Sequence, residues 1–210
     1  MFKTLQPLIL ASESPRRKRL LRSVGLHFQV EPSRIEEAGV PPGNPASDAE
    51  KWAYIKSASV AAAFPDCWTL GADTIVVVDG RIFGKPADRD EAVNMLSQLS
   101  GRTHDVITGM CLMKSSAGIH KTGSVTTRVL FKDLSRKEIE AYVETGEPMD
   151  KAGAYGIQGI GACLVREICG SYTNVVGLPL CEVLDWLMGE GIIEPAPHGA
   201  GIPSQPIVRE

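Results

Sequence analysis

The chain of 210 residues is long enough for one ordinary domain, and its 43% hydrophobic content is typical of a globular protein. Its net charge of −3 gives no overall attraction to nucleic acid, so local basic groups would have to hold any polyphosphate ligand. The five scattered cysteines form no CxxC pair, which argues against a disulfide framework or a cysteine zinc site and favours a reducing, cytoplasmic location. No apolar run approaches the roughly 20 residues that span a bilayer, so we expect no membrane segment.

The first predicted elements are a strand, a tight turn and a helix. Leu8–Ala11 is a short apolar run that predicts a buried strand. Ser14 is a natural N-cap, and Pro15 suits the first position of a helix because its missing N–H would be unpaired there anyway. Gly25 predicts the end of this helix.

This turn is a candidate phosphate site. The N–H groups and positive dipole end of a helix N-terminus attract anions, and Arg16 and Arg17 add planar donor forks that match phosphate geometry. A solvated basic face or a targeting patch would give the same short pattern.

A second strand and a second helix follow. Apolar and polar residues alternate over His27–Glu31, which predicts a strand. The loop over 32–45 carries the acidic pair Glu36-Glu37. Its spacing alone would indicate two solvated surface charges. A helix is predicted from an N-cap at Ser47 to about Phe64. Lys56 lies on it, where a single lysine is usually solvated.

The strongest predicted strand is Trp68–Val78, and it contains the acid Asp73. A carboxylate in so apolar a strand is costly unless it is paired or binds a metal, which makes Asp73 a functional candidate. Asp79-Gly80 predicts a tight turn that brings Lys85 back towards Asp73. An ordinary surface lysine is the alternative for Lys85.

The remaining predicted elements are helices at 88–100, 135–145 and 180–188, and strands at 104–113, 122–131 and 163–168. Between them, the glycine-rich segment 146–161 indicates unusual backbone angles or close approach of a ligand. It contains Gln158, whose amide is suited to reading a base edge. A plain flexible loop is the alternative, but Tyr155 favours an ordered one. The four histidines are interpreted as structural or exposed.

The order of elements predicts an α/β or α+β domain with a mixed sheet over residues 1–193. Residues 194–210 are rich in Pro and Gly and predict a mobile tail.

Five stretches resemble the Maf family of nucleoside triphosphate pyrophosphatases: ASESPRR at 11–17, GADTIV at 71–76, GKP at 84–86, MDKAGAYGIQ at 149–158 and NVVGLP at 174–179. Together they cover about residues 8–188 in the family's order. The resemblance implies a fold like that of inosine triphosphate pyrophosphatases, with two lobes around a deep cleft. It also implies hydrolysis of a nucleoside triphosphate to the monophosphate and pyrophosphate, a divalent cation (Mg²⁺, or Mn²⁺ instead) and a homodimer, with no nucleic-acid or membrane partner.

The resemblance also implies roles for single residues. It assigns phosphate binding to Ser12, Arg17, Lys56 and Lys85, base specificity to Arg16, Thr74 and Gln158, metal binding to Glu37 and Asp73, and catalysis to Asp73. Whether Asp73 acts as a base or as a metal ligand stays open, and the family usually has an Asp-Glu pair where this chain has Glu36-Glu37. The specificity set is similar to the branch that acts on dTTP and UTP and unlike the branch that prefers 7-methyl-GTP.

Two other functions compete with the enzyme. The family name comes from septum formation, so a nucleotide-binding regulator of cell division is the main alternative, and pyrophosphate release with and without Mg²⁺ would discriminate the two. A nucleic-acid binder using Arg16–Arg19 is disfavoured by the acidic balance, and salt-dependent binding to DNA or RNA would favour it again.

Overall fold

A computed structural model describes residues 1–35 and 43–196, and the bounds of its regular elements are as follows. The strands are β1 (Phe2–Thr4), β2 (Leu8–Leu10), β3 (Gln29–Val30), β4 (Trp68–Val78), β5 (Arg81–Phe83), β6 (Thr103–Lys114), β7 (Ile119–Phe131), β8 (Val165–Cys169) and β9 (Ile193–Pro195). The helices are α1 (Pro15–Ser23), α2 (Pro45–Ala61), α3 (Arg89–Leu99), α4 (Arg136–Glu144), α5 (Tyr172–Val176) and α6 (Leu180–Gly189).

The main sheet is mixed, as predicted. Its order is β3-β2-β4-β6-β7-β8, with β5 paired to β4. Strand β2 runs parallel to β3 and β4, whereas the other pairs are antiparallel. The mixed α/β class is therefore confirmed. No helix in the described ranges is long and apolar enough to cross a membrane.

Strand β4 passes through two hydrophobic cores and joins them. Leu70 and Ala72 pack in a core with β2, α1 and α6, while Val76 and Val78 pack in a second core with α3 and α4. Asp73 and Thr74 lie between these two stretches. The polar pair therefore occupies the junction between the two halves of the molecule.

Two glycines allow α2 to approach the sheet closely. A Cβ on Gly71 would stand 2.8 Å from the Ala53 carbonyl oxygen, and one on Gly109 would stand 2.2 Å from that of Ala49. Such distances are not tolerated between backbone and Cβ, so both positions require glycine. Since Gly109 is the β6 partner of Asp73, this contact brings α2 directly over that carboxylate.

The predicted start of α2 was wrong by a few residues. The helix begins at Pro45 with Asn44 as its N-cap, and the Asn44 Oδ1 accepts from the Ala46 and Ser47 N–H groups at 3.0 and 3.3 Å. Pro45 occupies the favoured first position and so fixes the earlier start. The Asp79-Gly80 turn is as predicted, with φ of 49° and 74°.

The two ends of the described chain pair with each other. β9 lies antiparallel to β1, with Glu194 opposite Lys3, so regular structure includes the first two residues of the predicted tail. The rest of that tail, from 197 on, lies outside the described residues, as does Glu36-Glu37.

Candidate active site

A cavity of about 490 Å³ opens between the two cores. It is within the size range of small-molecule sites. It is lined by all the site residues predicted within the described chain, namely Ser12, Arg16, Arg17, Lys56, Asp73, Thr74, Lys85 and Gln158. Glu37, the predicted second metal ligand, lies outside the described residues.

One wall of the cavity is the turn between β2 and α1. Ser14 is the N-cap of α1, its Oγ accepting from the Arg17 N–H at 3.5 Å, and Pro15 follows at the first position. The Ser12 Oγ accepts from the Ser14 N–H at 3.3 Å. The turn therefore places a helix N-terminus and a buried serine hydroxyl at the cavity, as the sequence predicts.

Arg17 ties this wall to the sheet and to the loop after α5. Its Nε donates to the Gly177 carbonyl at 2.7 Å, and its Nη1 donates to the Ala72 carbonyl at 2.8 Å and to the Ser12 Oγ at 3.1 Å. Its Nη2 donates to the Thr74 Oγ1 at 3.0 Å. Four bonds from one planar group hold the guanidinium in a single orientation.

Asp73 is buried and paired. It is 6% exposed, and its Oδ1 accepts from the Lys56 Nζ at 2.6 Å. Lys56 comes from α2, which the glycine contacts bring over the sheet. This pair explains how an acid is tolerated in so apolar a strand. The next residue of the strand, Thr74, points to the other face of the sheet, where its Oγ1 lies 2.9 Å from the Thr108 Oγ1.

An ion pair crosses the cavity mouth. The Arg16 Nη1 donates to the Asp150 Oδ2 at 3.0 Å, and the Lys151 Nζ contacts the other oxygen at 2.6 Å. Partial burial raises the pKa of Asp150, but the bonds from Lys151 and Arg16 outweigh it and hold that pKa below its usual value. This ion pair joins the start of α1 to the glycine-rich segment 146–161. The two are far apart in the sequence.

The described lining carries more positive than negative charge. Its charged groups are five Lys or Arg residues and three Asp or Glu residues: Arg16, Arg17, Lys56, Lys85 and Lys151, against Glu13, Asp73 and Asp150. No cluster of three or more metal-ligating side chains occurs within 1–35 and 43–196. Such a cavity is suited to an anionic ligand that itself brings oxygen ligands for a cation.

Comparison with protein families identifies the chain. The model of the Maf-like protein family matches residues 7–190, which include every described residue of this cavity.

This chain belongs to the Maf family.

Several close relatives of this Maf protein share one name with each other. A protein of Desulfotalea psychrophila named dTTP/UTP pyrophosphatase is 46% identical over 193 residues, covering 92% of this chain and 99% of the relative. Namesakes in Symbiobacterium thermophilum and Geobacter metallireducens are each 51% identical, covering 87% and 89% of this chain and 93% and 97% of their own.

Solved structures resemble this Maf protein more distantly. A HAM1 protein from Coxiella burnetii is 17% identical with a TM-score of 0.49, over 89% of this chain and 100% of that one. A nucleoside-triphosphatase (dITP/XTP pyrophosphatase) from Mycobacterium abscessus is 16% identical with a TM-score of 0.43, over 88% and 95%.

Sequence reasoning missed several groups that support the Maf site. His104 is buried beneath the cavity-lining Tyr155, with its Nε2 2.8 Å from the Tyr155 Oη. Tyr142 and Glu147 bind the backbone around Gln158. The available signals were an acid at the start of the glycine-rich segment and two tyrosines, one before the segment and one within it, but nothing local shows that they meet.

Proposed function

We propose that this Maf protein hydrolyses dTTP and UTP to the monophosphate and pyrophosphate. The observation that carries the proposal is one cavity lined by a helix N-terminus, three lysines, the buried Asp73 and the Gln158 amide. The names of its close relatives support the same substrates.

In the proposed reaction, water attacks the α-phosphorus. A bond forms between the water oxygen and that phosphorus, the bond to the bridging oxygen breaks, and pyrophosphate leaves with the electron pair. Lys56 and Lys85 neutralise the charge that develops on pyrophosphate. Ser12, Arg17 and the N-terminus of α1 hold phosphate oxygens. Asp73 takes the proton of the water, or would instead hold a divalent cation.

The donor set suits a cation such as Mg²⁺ or Mn²⁺, because Mg²⁺ is usually bound by one or two carboxylates together with substrate phosphates. Asp73 supplies one carboxylate at the cavity, and its only side-chain bond among the described residues is to Lys56. Glu37 is proposed as the second. The bound cation would screen the phosphates and lower the pKa of its water.

The choice of base rests on Arg16, Thr74 and Gln158. An amide both donates and accepts, which matches the O4 and N3–H edge of uracil and thymine. A 7-methylated guanine carries extra positive charge, which Arg16 would repel. Asp150 offsets part of the Arg16 charge, so we expect the amide of Gln158 to contribute more to this discrimination than Arg16 does.

The test is pyrophosphate release from UTP, dTTP, CTP, ATP, GTP and 7-methyl-GTP under one condition, with Mg²⁺ and with a chelator. We expect higher kcat/KM for UTP and dTTP than for the purine nucleotides, and loss of activity with the chelator. A clear preference for a purine triphosphate would overturn the choice of base but not the hydrolysis. Binding without hydrolysis of any of them would favour the regulator of cell division instead.

The proposal includes a cytoplasmic homodimer. All five cysteines are free thiols, which suits a reducing compartment. Light scattering on the purified protein would measure its mass and test the dimer directly.

A further inference from the structure

The segment that carries Gln158 is wrapped around one carboxylate. The Glu147 Oε1 accepts from the Gly161 N–H at 2.9 Å and from the Tyr142 hydroxyl at 2.9 Å. Its Oε2 accepts from the Ile160 N–H at 3.0 Å. The Tyr142 Oη in turn accepts from the Gly156 N–H at 3.2 Å. Gln158 lies between Gly156 and Ile160, so the backbone is anchored on both sides of it.

The glycines of this segment fit closely around the same groups. A Cβ on Gly159, where φ is +77°, would stand 2.8 Å from the Glu147 Oε2. A Cβ on Gly161 would stand 2.5 Å from the Tyr142 Oη. These two positions therefore have space for backbone only, and the carboxylate and phenol occupy the places that side chains would otherwise take.

Glu147 is suited to this role because it stays ionised. Burial raises its pKa, but the bonds from the Gly161 N–H, the Tyr142 hydroxyl and the Ile160 N–H outweigh burial and hold the pKa below its usual value. Bonds to a charged acceptor are about twice as strong as neutral ones. Tyr142 itself is buried in the core between α3 and α4, so the anchor rests on a rigid base.

Within the described residues, the Gln158 amide has no hydrogen bond to another protein group and lines the cavity. The placement of this amide therefore depends on the backbone that carries it. We propose that Glu147 and Tyr142 are positioning residues that fix this backbone so that Gln158 discriminates the base of the nucleotide. The inference rests on the proposed function, and it adds two residues that do not line the cavity.

The test compares Glu147→Gln, Tyr142→Phe and Gln158→Ala. An amide at 147 keeps the shape, but in either orientation its NH₂ faces a backbone N–H, of Ile160 or of Gly161, that needs an acceptor. We expect the ratio of kcat/KM for dTTP over GTP to fall about tenfold or more in Glu147→Gln, since small displacements of a positioning group have effects of this size or larger. Combining Glu147→Gln with Gln158→Ala should lower the ratio no further than Gln158→Ala alone.

Hydrogen exchange of the 155–162 segment gives a second readout, independent of activity. Exchange should become faster in Glu147→Gln and, at Gly156, in Tyr142→Phe. Glu140→Gln is the matched control, because it makes the same change at an acid of α4, the helix of Tyr142, where Glu140 forms an exposed pair with Arg136. It should change neither exchange nor the ratio.

Unchanged exchange in Glu147→Gln would overturn the inference whatever the parent protein hydrolyses. Faster exchange with an unchanged ratio in a selective parent would also overturn it, because Glu147 would then be structural only. A parent protein that shows no preference for pyrimidine triphosphates would refute the proposed function, and that result comes from the parent alone.

Discussion

Acid should destabilise this protein through His104, a buried histidine next to the cavity. His104 is 2% exposed, and its ring makes edge contacts with Phe131 and Tyr155 at centroid distances of 5.0 and 5.3 Å. Its Nε2 bonds to the Tyr155 Oη, and its Nδ1 has no hydrogen-bond partner among the residues that the structure describes. A protonated ring would need acceptors for two N–H groups and water around its charge. Burial therefore lowers the pKa of His104 from 6.5 to about 4.

The sign of the effect follows from this lowered pKa. The unfolded chain binds the proton near pH 6.5, whereas the folded protein resists it until about pH 4. The contribution to stability is complete above pH 6.5 and is lost as the pH falls towards 4. Below pH 6.5 the free energy of unfolding falls by about 1.4 kcal/mol for each pH unit. The fall is slightly smaller near pH 4.5, because the folded protein begins to bind the proton there. Between pH 7.5 and 4.5 the free energy of unfolding should therefore decrease by about 2.5 kcal/mol through this group.

The assay is urea unfolding at both pH values, with the free energy extrapolated to water. His104→Gln keeps a group that can bond to the Tyr155 hydroxyl and cannot titrate. Carboxylates titrate in both proteins, so they cancel in the difference. The parent should lose about 2.5 kcal/mol more than His104→Gln over this range. His27→Gln, at an exposed position, is the control and should lose as much as the parent. Equal losses in the parent and His104→Gln would refute the reasoning.

Three further predictions concern the site and the tail. Asp73→Asn should keep the fold and lower turnover by about 10²–10⁴, the usual range for a positioned acid–base group, whereas the exposed Asp66→Asn should have no effect. Parental turnover in Asp73→Asn would show that Asp73 is only structural. Gln158→Glu should shift kcat/KM away from UTP and dTTP, while Gln98→Glu, outside the cavity, should not. Deleting 197–210 should leave activity and melting temperature nearly unchanged, because the tail has little apolar surface to pack. A marked loss of either would show that the tail contacts the rest of the protein.

Local chemistry made several elements predictable from the sequence. The Ser135 to Glu138 capping box is present at the start of α4, and Asp88 caps α3 by accepting from the Glu91 N–H at 2.8 Å. The Ser14-Pro15 start of α1 is also as predicted. Each of these signals depends on groups within about four residues, so the sequence around it is enough. α2 was misplaced because Asn44 and Ser47 are both good N-caps within that distance.

The sequence also indicated which residue was chemically unusual. Asp73 was singled out because a carboxylate in an apolar strand needs a partner, and the structure supplies one in Lys56. The hairpin turn predicted that Lys85 returns towards Asp73, and both line one cavity. The resemblance to a family gathered the remaining site residues, which no periodicity or spacing connects.

The contacts that shape the site were decided by tertiary structure alone. Arg16 meets Asp150 across 134 positions, and Arg17 meets the Gly177 carbonyl across 160. Glu147 binds the N–H groups of Ile160 and Gly161, which follow it by 13 and 14 positions, beyond glycines with positive φ. Such partners depend on how two cores pack against β4. The sequence shows which residues could form such a pair. Whether the two residues come within bonding distance depends on how side chains pack throughout the fold.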